Sequence, residues 1–200
     1  MFIHIGTLKK RMKRAAGTGK LHTGCISGGT YISDAVFCLW MRNECLPNNI
    51  KALLVEFTGE TDWEEDAGVL VKGKEIQREA SVNKAFDLSD YFYERREVIE
   101  VTRTVLKYRD TELFQEKYGE NVYMVREELL DLIDSREIDH DSGELIPDRC
   151  AKDRHGEMYI WKNNTGCLVL SGVRIDSEDH EGDVLFKVLR DVRLKERRCC

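Results

Sequence analysis

Residues 157–175 read EMYIWKNNTGCLVLSGVRI, two apolar runs separated by Asn163-Asn164-Thr165-Gly166. Runs of about five residues rich in β-branched and aromatic side chains, joined by an Asn/Gly turn, predict a hairpin over Glu157–Trp161 and Cys167–Ile175. The same pattern recurs upstream. Leu21–Ile26 and Thr30–Ser33 flank Ser27-Gly28-Gly29, and Thr111–Glu116 and Val122–Val125 flank Tyr118-Gly119-Glu120-Asn121. Val98–Leu106 alternates apolar and polar residues as a half-buried strand does. The run Ala35–Met41 is apolar throughout, and its periodicity leaves helix and strand open.

Helical signals lie between the hairpins. Leu8, Met12, Ala15 and Ala16 share one face of a short basic helix at 7–16, closed by Gly17-Thr18-Gly19. Pro47 precedes Ile50, Leu53, Leu54 and Phe57, with Gly59 beyond, a helix with proline at its start and glycine after its end. Arg126–Asp134 puts Leu129, Leu130 and Ile133 on one face, and a C-terminal amphipathic helix is expected over 184–198. Strands and helices do not alternate regularly, so the expectation is an α+β fold of mostly antiparallel sheet with packed helices. Two hundred residues suit a single domain over 1–200, with a subdivision near 60–85 left open.

Charge is segregated along the chain. Residues 1–33 carry Lys9, Lys10, Arg11, Lys13, Arg14 and Lys20 with no acid, while the whole chain has 31 basic and 37 acidic residues and a net charge of −6. The remaining 25 basic and 37 acidic residues therefore carry −12, which is not the balance of a bulk nucleic-acid binder. Seven cysteines without a C-x-x-C pair or a leader sequence predict buried free thiols in a cytoplasmic protein.

Signatures of chemistry fail on inspection. Gly17-Thr18-Gly19-Lys20 lacks the upstream glycine and the following Ser/Thr of a phosphate loop. Asp139, Asp141 and Gly143 miss the register of a calcium loop. His22, Cys25, Cys38 and Cys45 are irregularly spaced for zinc. Asp139, His140, Asp148 and His155 could form an acidic and histidine site only if folding gathers them. No catalytic residue, metal or cofactor is expected.

Two surfaces remain. The acidic runs, Glu60, Asp62, Glu64, Glu65 and Asp66, then Asp176, Glu178, Asp179, Glu181 and Asp183, could imitate the spaced charge of a nucleic-acid backbone. The leading expectation is thus a non-enzymatic protein that uses this acidic surface to bind and regulate, or inhibit, a nucleic-acid-processing protein. Small acidic accessory proteins of phages and mobile elements, anti-CRISPR inhibitors among them, share this size and charge by analogy only. The alternative is a DNA-binding accessory acting through Lys9, Lys10, Arg11, Lys13 and Arg14.

The stretches NVYMVREELLDLID (121–134), MYIWKNN (158–164) and GCLVLSGVRI (166–175) resemble the closing part of a DNA sliding-clamp domain. The upstream basic helix, the hairpins and TYISDAVF (30–37) are compatible with a clamp half-domain. The resemblance implies a clamp-like sheet with helices facing DNA. Glu127, Glu128, Asp131 and Asp134 depart from it, because acids on such a helix repel phosphate.

Overall fold

The computed structural model describes residues 2–134, 136, 138, 139, 144, 145, 149–154, 157–173, 180–190 and 192–194. The architecture is α+β with antiparallel strand pairing, as expected. No helix among these residues is long and apolar enough to cross a membrane. The chain sorts into two compact units, the first of residues 1, 3–96 and 162–169, the second of residues 2, 97–161 and 170–200.

The first unit opens with α1 (Ile5–Gly17), followed by strands β1 (Leu21–Ile26), β2 (Gly29–Ser33) and β3 (Phe37–Arg42). Ser27 and Gly28 both adopt positive φ, 53° and 71°, the twist that suits a two-residue hairpin. The ambiguous apolar run is β3, and it is apolar on both faces because both are covered. Helix α2 (Asn48–Thr58) ends at Gly59, whose φ of 80° is left-handed. Strands β4 (Gly68–Lys72) and β5 (Glu75–Glu79) come next, giving a strand order β5-β4-β1-β2-β3. Because side chains alternate along a strand, Leu21, Thr23 and Cys25 point to the face where α1 and α2 pack against β4. His22, Tyr31, Cys38 and Trp40 point to the other, where Phe86 stacks on Tyr31 at 5.0 Å and Phe92 meets Trp40 at 5.3 Å. Gly29 is needed under Trp40, since a Cβ there would sit 2.1 Å from the indole. The short helix α3 (Ser89–Phe92) precedes the second unit.

The second unit is built on β6 (Val98–Tyr108), β7 (Thr111–Glu116) and β8 (Val122–Arg126). Helix α4 is only Glu127–Leu130, shorter than the apolar spacing through Asp134 predicts. The chain tightens there into i→i+3 bonds, Leu132 to Leu129 and Ile133 to Leu130, and the next amide, Asp134 N–H, donates to Phe2 O at 2.8 Å. Strands β9 (Ile138–Asp139) and β10 (Glu144–Leu145) pair, β11 (Arg149–Asp153) joins β6, and β12 (Met158–Lys162) joins β11. The predicted hairpin's second strand is β13 (Gly166–Ser171), and the unit boundary falls within these last two strands.

The C-terminal helix α5 spans His180–Arg190, starting before and stopping short of the predicted 184–198. Among its described side chains Phe186 and Leu189 are buried, and they join Leu113, Met124 and Leu194 in one apolar cluster. Val184, Val188 and Val192 are exposed instead. Gln115 anchors the segment beyond the helix, donating to Val192 O and accepting from Leu194 N–H, both at 2.9 Å.

Candidate nucleic-acid interface

Helix α1 sorts its cations by position. His4 Nδ1 caps its start, accepting from Thr7 N–H at 3.2 Å. Leu8, Met12, Ala15 and Ala16 face inward, and Arg11 is buried with them and has a partner within the protein. Lys9 is held by Glu56 of α2 at 2.7 Å. Lys10, Lys13 and Arg14 lie on the solvent side. The five basic residues predicted as one surface therefore divide: Arg11 is withdrawn, Lys9 is spoken for, and three stay outward.

The end of α1 gathers further charge. Gly73 N–H donates to Ala16 O at 2.7 Å, sharing that terminal carbonyl with Gly19 N–H at 3.0 Å and bringing the β4–β5 turn to the helix end. That turn carries Lys72 and Lys74, both exposed, and Lys72 Cγ lies 3.1 Å from where a Cβ of Gly19 would be. Lys20 is exposed beside it. Among the described residues, Lys10, Lys13, Lys20, Lys72 and Lys74 form no ion pair. Glu75, which registers with Lys72 across the turn, is the acid nearest in the ladder. Cations at a helix C-terminus also sit well against its negative dipole end. Lys72 and Lys74 are not part of the surface read from sequence; they lie far along the chain from α1, and nothing in their local pattern signals that meeting.

The first acidic run is not a uniform array. Glu60 accepts from Arg78 at 3.0 Å. Glu65 reaches back to the first hairpin, accepting from Gly28 N–H at 3.2 Å and from the Cys25 thiol at 3.5 Å. Asp62, Glu64 and Asp66 remain exposed. The loop borders a cavity of about 110 Å³ lined by Cys25, Asn43, Lys51 and Trp63. Burial raises the Cys25 thiol above its ordinary value, with the Asn43 hydrogen bond opposing and Glu65 adding. Of the second run, Asp176, Glu178 and Asp179 lie outside the described residues, as do the side chains of Glu181 and Asp183 on α5.

Of the remaining chemistry candidates, His22, Cys25 and Cys38 do not converge on one site. His22 pairs with Glu79 at 2.9 Å on one sheet face and Cys38 lies on that face, whereas Cys25 projects to the opposite one. No cluster of His, Cys, Asp and Glu able to hold a metal occurs among the described residues. Asp139 sits on β9, and His140, Asp148 and His155 lie outside the described residues.

No protein-family model matches the chain, and no curated protein matches it. Among solved structures, the beta subunit of DNA polymerase III from Thermotoga maritima aligns with 11% identity and a TM-score of 0.27, over 90% of this chain and 66% of that one. A likeness so slight fixes neither the topology nor the activity.

Proposed function

We propose that this chain is a binding protein that engages the backbone of nucleic acid through the basic face formed by α1 and the β4–β5 turn. The observation that carries the reading is the bond from Gly73 to Ala16, which adds Lys72 and Lys74 to the exposed Lys10, Lys13 and Lys20. Lysines with no ion pair among the described residues are open to phosphate, and each phosphate neutralised releases condensed counterions. The contact is with the backbone, so it is independent of base sequence.

The test is fluorescence anisotropy of a labelled DNA duplex against salt. If all five lysines meet phosphate, log K falls with log salt at a slope of about −4.5, roughly a 500-fold loss between about 50 and 200 mM. Reversal of three charges, Lys10→Glu, Lys13→Glu and Lys72→Glu, abolishes binding while circular dichroism stays unchanged. Binding that is indifferent to salt, or to the three reversals, refutes the reading.

A second reading is favoured by the exposure of Asp62, Glu64 and Asp66: an acidic surface that holds a basic protein of nucleic-acid processing and regulates or inhibits it. Its test is pull-down from nuclease-treated lysate. A stoichiometric nucleic-acid enzyme, lost on Asp62→Asn, Glu64→Gln and Asp66→Asn together, supports it. Capture that those changes leave intact refutes it.

A further inference from the structure

Residues 91–96 read Tyr-Phe-Tyr-Glu-Arg-Arg, an interleaving of aromatics and cations that the basic face does not use. The fold makes it a stacked surface. Phe92 is anchored inward against Trp40 and meets the Tyr93 ring edge-on at 5.0 Å, which fixes that ring's attitude. Tyr93 is nevertheless 49% exposed. The Arg95 guanidinium stands over the Tyr93 ring at 5.2 Å, and that of Arg96 over Tyr91 at 5.0 Å.

Glu94 stands between the two stacked residues at φ 57°, a left-handed conformation uncommon for a side chain of its kind. Its carboxylate accepts from Lys162, which ties the turn to β12 and holds the Glu94 carboxyl below the usual range. Asp90 faces both arginines only at 3.8 and 4.0 Å, beyond hydrogen-bonding distance. The Arg95 guanidinium donates no hydrogen bond among the described residues, so it is available to an incoming group.

We propose that Tyr93 and Arg95 form a stacking platform for the unpaired bases of single-stranded nucleic acid, with Arg96 beside it for phosphate. The inference rests on the basic-face reading for the class of ligand and adds a second contact, on the sheet face opposite α1, that names the strand form. A planar, delocalised guanidinium on an aromatic ring presents a flat surface that a base extends, and every base has such a face. A duplex keeps its bases stacked on one another, so the platform discriminates against it while α1 does not.

The experiment compares three labelled probes by anisotropy: a thymidine oligomer of about twenty nucleotides, an abasic backbone of the same length, and a duplex. The wild-type chain is expected to bind the thymidine oligomer roughly five- to a hundred-fold more tightly than the abasic strand. Tyr93→Ala removes that preference and leaves duplex binding unchanged; Tyr93→Phe, which keeps the ring, retains it. Equal affinity of the wild type for the two single strands, or a preference that survives Tyr93→Ala, overturns the platform and leaves the basic face standing. Failure of the wild type to bind any of the three overturns both.

Discussion

Glu112→Gln should be among the most damaging single changes the second unit can suffer. Strand β6 bulges between Arg103 and Lys107, where four steps of β6 span what two steps of β7 span between Phe114 and Glu112. The bulge, held by Thr104 Oγ1 donating to Leu113 O at 2.9 Å, brings Arg103 over Glu112. Nε and Nη2 along one edge of the guanidinium both donate to the carboxylate, and the two residues are 9% and 4% exposed. Removing one charge from such a pair leaves the other buried and uncompensated, a cost of about 3–5 kcal/mol. Lys107 offers little relief, since it is half exposed, 3.8 Å from Glu112, and already bonded to Glu127 at 2.8 Å. With a urea dependence of about 2 kcal/mol per molar, the unfolding midpoint should drop by about 1.5–2.5 M. Replacing both members by apolar residues of similar volume, Glu112→Leu with Arg103→Met, should restore most of that stability. Urea titration followed by circular dichroism reads both. A Glu112→Gln shift below about 0.3 M, or a double variant as unstable as the single one, would overturn this account of the pair.

Three further outcomes are expected. Burial pushes the Cys38 thiol up to about 12 and those of Cys150 and Cys167 well above their ordinary value, so at about pH 8 all three stay neutral and enclosed. Iodoacetamide followed by peptide mass spectrometry should modify half-exposed Cys45 before any of them, and early labelling of Cys150 would contradict the packing. Burial opposes ionisation of Asp87, but hydrogen bonds from Ser89 and Ser27 outweigh it and set its carboxyl below the ordinary 3.8. A depressed carboxyl stabilises the fold above its unfolded value and stops doing so as pH falls through the folded one. Asp87→Asn should therefore be less stable than wild type at about pH 7, with the gap closing below about pH 4, and a pH-independent gap would assign the loss to packing alone. Gly29→Ala should lower the melting temperature by several degrees and disturb the Trp40 indole, which donates to Ile26 O at 3.0 Å; an unchanged tryptophan emission spectrum would count against that packing.

The elements visible in the sequence are those specified by local pattern. The first hairpin, α1, α2 and the β7–β8 pair lie close to where apolar spacing and turn residues put them. Elements specified by their neighbours are not legible that way. β5 reads Glu-Ile-Gln-Arg-Glu and is almost wholly exposed, a strand only because β4 pairs with it. Residues 84–96 have no period, and Phe86 and Phe92 are fixed by Tyr31 and Trp40. On α5, Val184 and Val188 repeat as regularly as Leu185 and Leu189, so periodicity could not tell which row the apolar cluster would take. The candidate interface divides the same way. The cations of α1 stand out as a run, but the withdrawal of Arg11, the pairing of Lys9 and the arrival of Lys72 and Lys74 depend on contacts between distant segments.

An overall charge of −6 is compatible with a phosphate-binding face, and it constrains how that face works. At physiological ionic strength, charges more than about 8 Å away are largely screened, so on the basic-face reading five lysines with no ion pair among the described residues act on phosphate at contact whatever the rest of the chain carries. On the basic-face reading, acids close to that face disfavour other orientations of approach and so reduce non-specific coating of the duplex. The ties of Glu56 to Lys9 and Glu60 to Arg78 commit acids to particular partners within the unit, while Lys10, Lys13 and Lys20 form no ion pair among the described residues. On the basic-face reading, neutralising Asp62, Glu64 and Asp66 raises non-specific affinity for DNA; on the acidic-surface reading, the same changes remove a protein partner. The two surfaces therefore make opposite demands on one triple variant.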